Sequence, residues 1–368
     1  MRNKTTLVLL GLGLTLLVLA FVLARCAEQR LGGEGATKPV AKTVEFPRDK
    51  QRRAAVERQI ADRQRRANGQ PTTTPTKPAD RLTRALSSPG KDGALVVEVN
   101  AIRHAPLVEK FLACEQARKG EGANSLAQLQ DELGIDVTED VDRVGFDKDV
   151  LAVSGFFEKL KLPAEFGEGE AVGDAGRLFR IKDDSGKAMV VGKVGDDLLF
   201  TGFDEAQVRS AIERTEGRAP PGPGFPDGVA AGEIYGLVGP ALLQDLLGDV
   251  HDPAAAQLAQ VITESRVQVA VDDAAALSLD LSARSADEGR DLGRALGGLV
   301  AAARAKALEA DDAELAGLLE QARVDVTDDG RVAFDIAVPG DELLRMMGCD
   351  AEGRPVAADA LPPAPTTK

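Results

Sequence analysis

Histidine and cysteine, the residue types that most often carry acid–base and metal chemistry, are scarce in this chain of 368 residues, which has 2 His and 3 Cys. His104 and His251 lie far apart, and neither belongs to an HExxH motif or lies within four residues of a cysteine that could complete a zinc site. Acidic residues flank His251 (DVHDP) and could orient it as a base, although such a sequence is also typical of a surface turn. The histidines therefore predict no catalytic or metal site.

The glycine-rich stretches do not match the motifs that cradle phosphate groups. Each Gly-Lys pair, at residues 90–91, 186–187 and 192–193, lacks the Ser or Thr that must follow it in a P-loop. No GxSxG nucleophile turn is present. Ser88 and Lys91 match SxxK in spacing only, because a Pro-Gly linker cannot hold the lysine over the serine as a helical turn would. We therefore predict no catalytic residues, no cofactor site and no enzymatic activity.

A crowded group of carboxylates, centred on Asp140, raises the question of ion binding. If a calcium loop began at Asp140, an acid would stand at its third position and Gly145 at its sixth, as such loops require. Val144 and Leu151 would then occupy the fifth and twelfth positions, which removes two ligands. The same acids fit the cap of a helix followed by the turn of a hairpin, so we predict no metal site here.

The three cysteines, Cys26, Cys114 and Cys349, form no CxxC motif, which argues against a redox pair and a zinc knuckle. Cys114 falls on the apolar face of a predicted helix with Leu107 and Phe111, where a cysteine commonly serves as a small core residue. A disulfide between Cys114 and Cys349 is compatible with an oxidising compartment, but the sequence does not place the two residues within bonding distance. The sequence leaves their pairing open.

An unbroken apolar run, Thr5–Ala24, follows Arg2 and Lys4 and ends at Arg25. A helix of this length spans about 30 Å, the thickness of the hydrocarbon core of a bilayer. We therefore predict that residues 5–24 form a single transmembrane helix that acts as a signal anchor. The basic residues of 1–4 favour a cytoplasmic N-terminus and an extracytoplasmic location for the rest of the chain, since long segments are translocated largely regardless of their charge.

Two alternatives to the anchor stay open. A cleaved signal peptide usually has a shorter apolar region that ends in a small-x-small site, and the residues before Arg25 offer none. The sequence LARC at 23–26 resembles the lipobox of bacterial lipoproteins, which would attach acyl chains to Cys26, but Arg25 stands where that pattern has Gly, Ala or Ser. We predict a single-pass membrane protein, with a lipoprotein through Cys26 as the alternative.

Charge divides the chain into a basic and an acidic part. Residues 1–90 contain 17 Lys+Arg and 7 Asp+Glu, a net of +10; subtracting these from the totals of 45 and 59 leaves 28 and 52, a net of −24 for residues 91–368. So acidic a region repels nucleic acid and could face a basic protein partner. The aromatic residues (12 Phe, 1 Tyr and no Trp) are too few for the stacking surfaces that bind sugars or single-stranded nucleic acid.

Residues 25–92 form a basic, Pro- and Thr-rich stretch that we predict to be a flexible stalk. Within it, Pro47 begins a charged run, and we expect a short charged helix near 47–67. The arginines of this run could belong to a plain spacer, or they could bind anionic lipid, polysaccharide or the acidic domain itself. Residues 69–93 are predicted to be an extended linker.

From Ala94 onward, apolar residues recur at the spacings of strands and helices, and Asp- and Gly-rich turns separate them. The pattern predicts helices near residues 126–133 and 240–247, and Asp204 and Asp341 are predicted to cap two further helices. The order strand, helix, helix, hairpin, further strands and helix occurs twice, which predicts an internal duplication. We therefore predict an α+β fold in which each of two similar halves has an antiparallel sheet backed by helices. The predicted boundaries are 93–217 for the first half, 218–232 for a Pro/Gly linker, 233–349 for the second half and 350–368 for a disordered tail.

The anchor, the stalk and the lack of a catalytic motif predict a membrane-anchored, non-enzymatic extracytoplasmic protein of the cell envelope with a binding or structural role. Two other classes stay open: a carrier that encloses an apolar ligand, and a hydrolase that works through carboxylates alone. A deep apolar cavity would favour the carrier, and paired carboxylates in a cleft would favour the hydrolase. The predicted partners are the membrane, through residues 5–24, and a basic protein; no nucleic-acid partner is expected.

Overall fold

The structure is a computed structural model. It describes residues 46–47, 80–86, 93–118, 134–136, 139–162, 166–182, 188–222, 224–226, 228–240, 260–310 and 313–356. The predicted anchor at 5–24, most of the predicted stalk and the end of the predicted tail lie outside these residues. So do the helices that we expected near residues 126–133 and 240–247.

The described residues form an α+β fold built on one antiparallel sheet of twelve strands backed by helices, as the sequence predicts at this level. The strands are β1 (Gly93–Val97), β2 (Val141–Asp147), β3 (Val150–Gly155), β4 (Glu170–Val172), β5 (Gly176–Lys182), β6 (Ala188–Val194), β7 (Leu198–Gly202), β8 (Ile234–Val238), β9 (Ile262–Val271), β10 (Ala274–Ala283), β11 (Arg323–Val326) and β12 (Val332–Pro339). Their order in the sheet is β11-β12-β10-β9-β8-β1-β2-β3-β7-β6-β5-β4. The strands that begin the two halves, β1 and β8, are therefore neighbours, and both halves contribute to one sheet.

The described helices are α1 (Arg81–Ala85), α2 (Val99–Arg103), α3 (Pro106–Arg118), α4 (Glu205–Thr215), α5 (Ala286–Glu309), α6 (Ala313–Glu320) and α7 (Gly340–Met346). Asp204 caps α4, as predicted, by accepting a hydrogen bond from the backbone N–H of Ala206 at 2.8 Å. The prediction that Asp341 caps the last helix was wrong. The helix begins one residue earlier, at Gly340 after Pro339, so Asp341 lies in its first turn.

The sheet has a separate apolar core on each face, because neighbouring residues of a strand point to opposite faces. We call them the Val96 face and the Val97 face, after two residues of β1. On the Val96 face, α1 and α4 pack over the first half. The buried residues of that core are Leu82, Ala85, Leu86, Ala94, Val96, Val150, Ala152, Val172, Leu178, Val190, Val194, Leu198, Phe200, Val208, Ala211, Ile212 and Tyr235.

The Val97 face carries several smaller apolar clusters. Val97 lies with Val144, Ile234 and Val269 at the centre of the sheet, where side chains of α2 pack against them. Towards the second half, Leu292 of α5 joins Leu281 and Val332, and α3 and α7 pack against each other. Helices therefore back the sheet on both sides.

Residues 80–86 depart from the extended linker that we expected over 69–93. Asp80 caps α1 by accepting a hydrogen bond from the backbone N–H of Thr83 at 2.9 Å. Leu82 and Leu86 are only 1% and 2% exposed. A Cβ atom at Gly145 of β2 would lie 2.8 Å from Leu82, so the glycine makes the room that this leucine needs. Part of the predicted stalk therefore belongs to the folded core.

A disulfide joins Cys114 in α3 to Cys349, which follows α7. Both cysteines are fully buried, in a cluster with Leu107, Leu343 and Leu344. The bond spans a sequence separation of 235 residues and so links a helix of the first half to the end of the second. It answers the question that the sequence left open.

We expect the exchange Cys114→Ser/Cys349→Ser to lower the melting temperature. A cross-link that closes so long a loop stabilises the fold by restricting the unfolded chain, by about 5 kcal/mol. That loss corresponds to a fall in Tm of about 10 °C for a domain of this size, measured by calorimetry. Reduction of the native protein should give the same shift, and Cys26→Ser should give none. Equal Tm values for the native and the double-variant proteins would show that the disulfide does not form.

Candidate functional site

Of the histidines and the SxxK pair considered for chemistry, His104 is the one that the structure describes, and it has a structural role. His104 is exposed and ends α2 as its C-cap, while His251, Ser88 and Lys91 lie outside the described residues. Within the described part of the chain, no group of three or more His, Cys, Asp or Glu side chains is placed to hold a metal ion.

Asp140 and Asp147 accept hydrogen bonds from the backbone of nearby turns. Asp140 accepts a hydrogen bond from the backbone N–H of Asp136 at 2.7 Å. Asp147 closes the β2–β3 turn by accepting from the backbone N–H groups of Asp149 and Val150 at 3.0 and 2.8 Å. The contacts of Asp147 are those that the turn interpretation of the sequence predicts, whereas the helix that the other acids were expected to cap lies outside the described residues.

Four partly buried residues form a polar cluster: Asp80, Glu98, Arg143 and Tyr235. Asp80 precedes α1, Glu98 follows β1, Arg143 lies in β2 and Tyr235 in β8. The strand register brings them together. Val97 of β1 lies opposite Val144 of β2, so Glu98 and Arg143 follow this pair together at the end of β1. Tyr235 of β8 lies opposite Val96, one residue before that end and on the same face of the sheet.

Arg143 is the centre of the polar cluster, and each part of its guanidinium contacts a different side chain. Its Nε donates to Glu98 at 3.0 Å and its Nη2 donates to the Tyr235 hydroxyl at 3.0 Å. Its Nη1 lies 2.8 Å from a carboxylate oxygen of Asp80. The Tyr235 hydroxyl in turn donates to Glu98 at 2.9 Å. Phe225 packs edge-on against the Tyr235 ring, with centroids 5.6 Å apart.

Burial and charge shift the pKa values of Tyr235, Asp80 and Arg143. Burial raises the pKa of Tyr235 to about 12, and the neighbouring Glu98 charge acts in the same direction while Arg143 opposes it. Burial alone would raise the pKa of Asp80, but hydrogen bonds from Thr83 and Arg143, with the Arg143 charge, lower it overall. Burial would lower the pKa of Arg143, yet Asp80 and Glu98 hold it above its ordinary value.

The polar cluster is closed on itself and is built as a clamp. One guanidinium binds both carboxylates, and the tyrosine hydroxyl both donates and accepts within the group. An acid–base pair of a hydrolase needs one carboxyl group protonated near neutral pH, whereas Arg143 favours the charged form of Asp80. The hydrogen bonds and ion pairs of the cluster hold α1 and the strands β1, β2 and β8 together.

An apolar groove runs between α5, α6 and β11. Its volume is about 500 Å³. The apolar residues that line it include Val300, Ala301, Ala305, Leu308, Leu319 and Val324. Gly297 contributes no side chain, and a Cβ atom there would meet no atom within 4 Å. At the rim, Arg304 and Glu320 form an ion pair of 3.1 Å.

The groove presents an apolar wall beside a charged pair. Aliphatic walls provide burial, and the ion pair at the rim provides a polar end. Leu308, which lines the groove, is 56% exposed, so a ligand in the groove would cover apolar surface that is now in contact with water. Within the described residues, no helix is both long enough and apolar enough to span a bilayer.

Comparison with known proteins adds little. No protein-family model matches the sequence, and no curated protein matches it. A solved structure described as "Structure of crystal form I of TP0453" is similar at a TM-score of 0.36 and 11% sequence identity, over 74% of this chain and 98% of that chain. A likeness of this size does not establish a shared fold.

Tyr235 should titrate abnormally in the folded protein. It is the only tyrosine in a chain without tryptophan, so the absorbance of the tyrosinate form reports this residue alone. We expect a pKa of about 12 in the folded state and about 10 in denaturant. Because the folded pKa is the higher one, this residue's contribution to stability is complete below about pH 10 and is lost as the pH rises towards 12.

Two variants separate the causes of this shift. Tyr235→Phe should abolish the part of the unfolding free energy that declines between about pH 10 and pH 12, measured by urea denaturation. Arg143→Met should raise the pKa of Tyr235 further, because it removes the positive charge that favours the tyrosinate form. A folded-state pKa near 10 in the native protein, with circular dichroism unchanged, would contradict the burial of the hydroxyl in the polar cluster.

Proposed function

We propose that this chain is a single-pass membrane protein with its bulk outside the cytoplasm, where it has a non-enzymatic binding or structural role in a cell envelope. The observation that carries the proposal is the buried Cys114–Cys349 disulfide. Structural disulfides persist in oxidising compartments and are rare in the cytosol. The apolar run at 5–24 supplies the means of attachment, with acylation of Cys26 as the alternative.

A binding or structural role is supported by how the charged residues are used. The polar cluster around Arg143 satisfies its own members, which is what a structural clamp requires. The net charge of −24 over residues 91–368 suits a basic protein partner and opposes binding to nucleic acid. The partners proposed are therefore the membrane, through residues 5–24, and a basic envelope protein.

The location can be tested with protease and thiol reagents on intact spheroplasts. We expect external protease to digest the chain after residue 27, while a cytoplasmic marker stays protected. After alkylation of intact cells, Cys114 and Cys349 should remain unlabelled until the protein is denatured and reduced. Two results together would contradict the extracytoplasmic location: the chain stays intact in the presence of external protease, and the thiol reagent labels both cysteines after denaturation without reduction.

A second candidate function, carrier of an apolar ligand, is favoured by the groove between α5, α6 and β11. Its volume of about 500 Å³ matches the size of a small-molecule site, and its walls are largely aliphatic. Arg304 at the rim carries the charge that a carboxylate or phosphate headgroup would require. This function is compatible with the proposed location.

We expect Ala301→Trp to fill the groove and to weaken the binding of a fluorescent fatty acid by about tenfold or more, since the indole would take the place of the alkyl chain. Ala302→Trp is the matched control, because Ala302 is exposed on the same helix and does not line the groove. Native mass spectrometry of the purified protein would identify any lipid that remains bound. Equal probe affinity for both variants and the native protein would count against the carrier function.

We also propose that the two halves arose by duplication. Outward from the β1–β8 pair, the strand order is β1-β2-β3-β7-β6 on one side and β8-β9-β10-β12-β11 on the other. In this comparison β3 corresponds to β10. The first half has the β4–β5 hairpin after this strand, and the second half has α5 and α6 there instead. One departure is that α4 packs on the Val96 face and α7 on the Val97 face. Relatives whose two halves share no more sequence identity than unrelated chains would speak against the proposal.

A further inference from the structure

The Val96 face is covered differently in its two halves. Over the first half lie α1 and α4, whereas on β10 and β12 this face presents only small and acidic side chains. We call this surface the alanine strip; its members are Ala276, Ser278, Asp280, Ala333, Asp335 and Ala337. They form three cross-strand pairs: Ala276 lies opposite Ala337, Ser278 opposite Asp335, and Asp280 opposite Ala333.

The alanine strip is buried, although the helices α5 and α7 of the second half pack on the opposite face of the sheet. Ala276, Ser278 and Ala337 are 1%, 2% and 3% exposed. The helices α5 and α7 contribute their apolar side chains to clusters on the Val97 face. Among the described residues, the hydrophobic side chain that packs on the strip is Phe46, against Ala276 and Ala337. The Ser278 hydroxyl has no hydrogen-bond partner within this part of the chain. The strip therefore requires a further cover.

We propose that the alanine strip is the docking surface for residues 48–67 of the same chain. This segment starts next to Phe46 and Pro47, at the point where the chain already contacts the strip. It has 8 Lys+Arg and 3 Asp+Glu, a net of +5, and on the strip its basic side chains would meet the carboxylates of Asp280 and Asp335. Of the three occupants that the sequence leaves open for these arginines, the acidic domain is the one that the structure favours.

The length of the chain fits this placement. Residues 48–79 must run from Phe46, on β10 and β12, to Asp80, beside Arg143 of β2, and both ends lie on the Val96 face. Five strand spacings separate β12 from β2, a distance of about 24 Å. An extended chain of this length reaches about 100 Å, so some twenty residues can lie on the strip and leave enough chain to reach Asp80.

Side-chain size points the same way. Alanine and serine leave room for a segment to approach the sheet closely, as small residues do wherever two backbones pack together. Val56 and Ile60, the large apolar residues of the segment, are four positions apart and would share one side of a helix. Arginine stems can cover the alanines while their guanidinium groups reach Asp280 and Asp335. The inference does not depend on the proposed function.

Limited trypsin digestion of the full chain in detergent micelles tests the docking, because trypsin cuts within 48–67 only when the arginines are released. We expect Asp280→Asn/Asp335→Asn to accelerate cleavage in this segment about tenfold, and high salt to accelerate it in the native protein. Glu309→Gln, an exposed acid at the end of α5, is the matched control and should change nothing. Equal cleavage rates in all these proteins at low and high salt would overturn the proposal.

A second measurement leaves the strip unchanged, so it does not depend on the double variant folding. A photo-reactive residue at position 56 should cross-link within one molecule to peptides of β10 or β12, whereas one placed at position 37 should not. Cross-links from position 56 to another molecule would mean that a second copy occupies the strip, and cross-links to detergent alone would mean that the segment is free. Either result would overturn the proposal.

Discussion

The pairing of β1 with β8 is the constraint on which the described structure depends. Each of these strands would be the edge of its own half if the halves folded apart, with a row of unpaired N–H and C=O groups open to other chains. Paired with each other, they become the centre of a twelve-stranded sheet, and every residue of both strands is buried. The two halves therefore depend on one another, and the Pro/Gly stretch between them connects parts of a single sheet.

The polar cluster specifies how this central pair is aligned. A shift of one residue in β8 would turn Tyr235 to the Val97 face and remove it from Arg143. It would also leave charged and hydroxyl groups without partners in a half-buried place, which is costly. Buried polar groups often stabilise less than apolar ones of the same size, but they favour one register over its neighbours. The disulfide acts on the same assembly from a distance, since it ties α3 to the residues after α7.

Local patterns in the sequence predicted much of the fold. The hairpins of β2–β3 and β6–β7 follow from Asp- and Gly-containing turns between apolar runs, and Asp204 marks the start of α4. The helix α1 was missed because its two buried leucines stand in a Pro-, Thr- and Ser-rich stretch. The β1–β8 pair and the polar cluster were missed because they join residues that are distant in sequence. Arg143 meets Asp80, Glu98 and Tyr235 only after four separate elements have assembled, and no local pattern encodes that.

The burial of Phe46 sets the reach of the domain above a bilayer. With residues 5–24 as the proposed anchor, residues 25–45 are the whole tether before the chain meets the sheet. A flexible tether of this length has a typical end-to-end distance of about 25 Å and a limit of about 70 Å. If the chain were free up to Asp80, the limit would exceed about 180 Å. If the proposed anchor holds, a tether this short would keep the acidic domain within a few nanometres of the lipid headgroups, and a partner would have to lie in that same thin layer. Electrostatic repulsion from anionic lipid acts over only about 8 Å at physiological salt, and would orient the domain without driving it away.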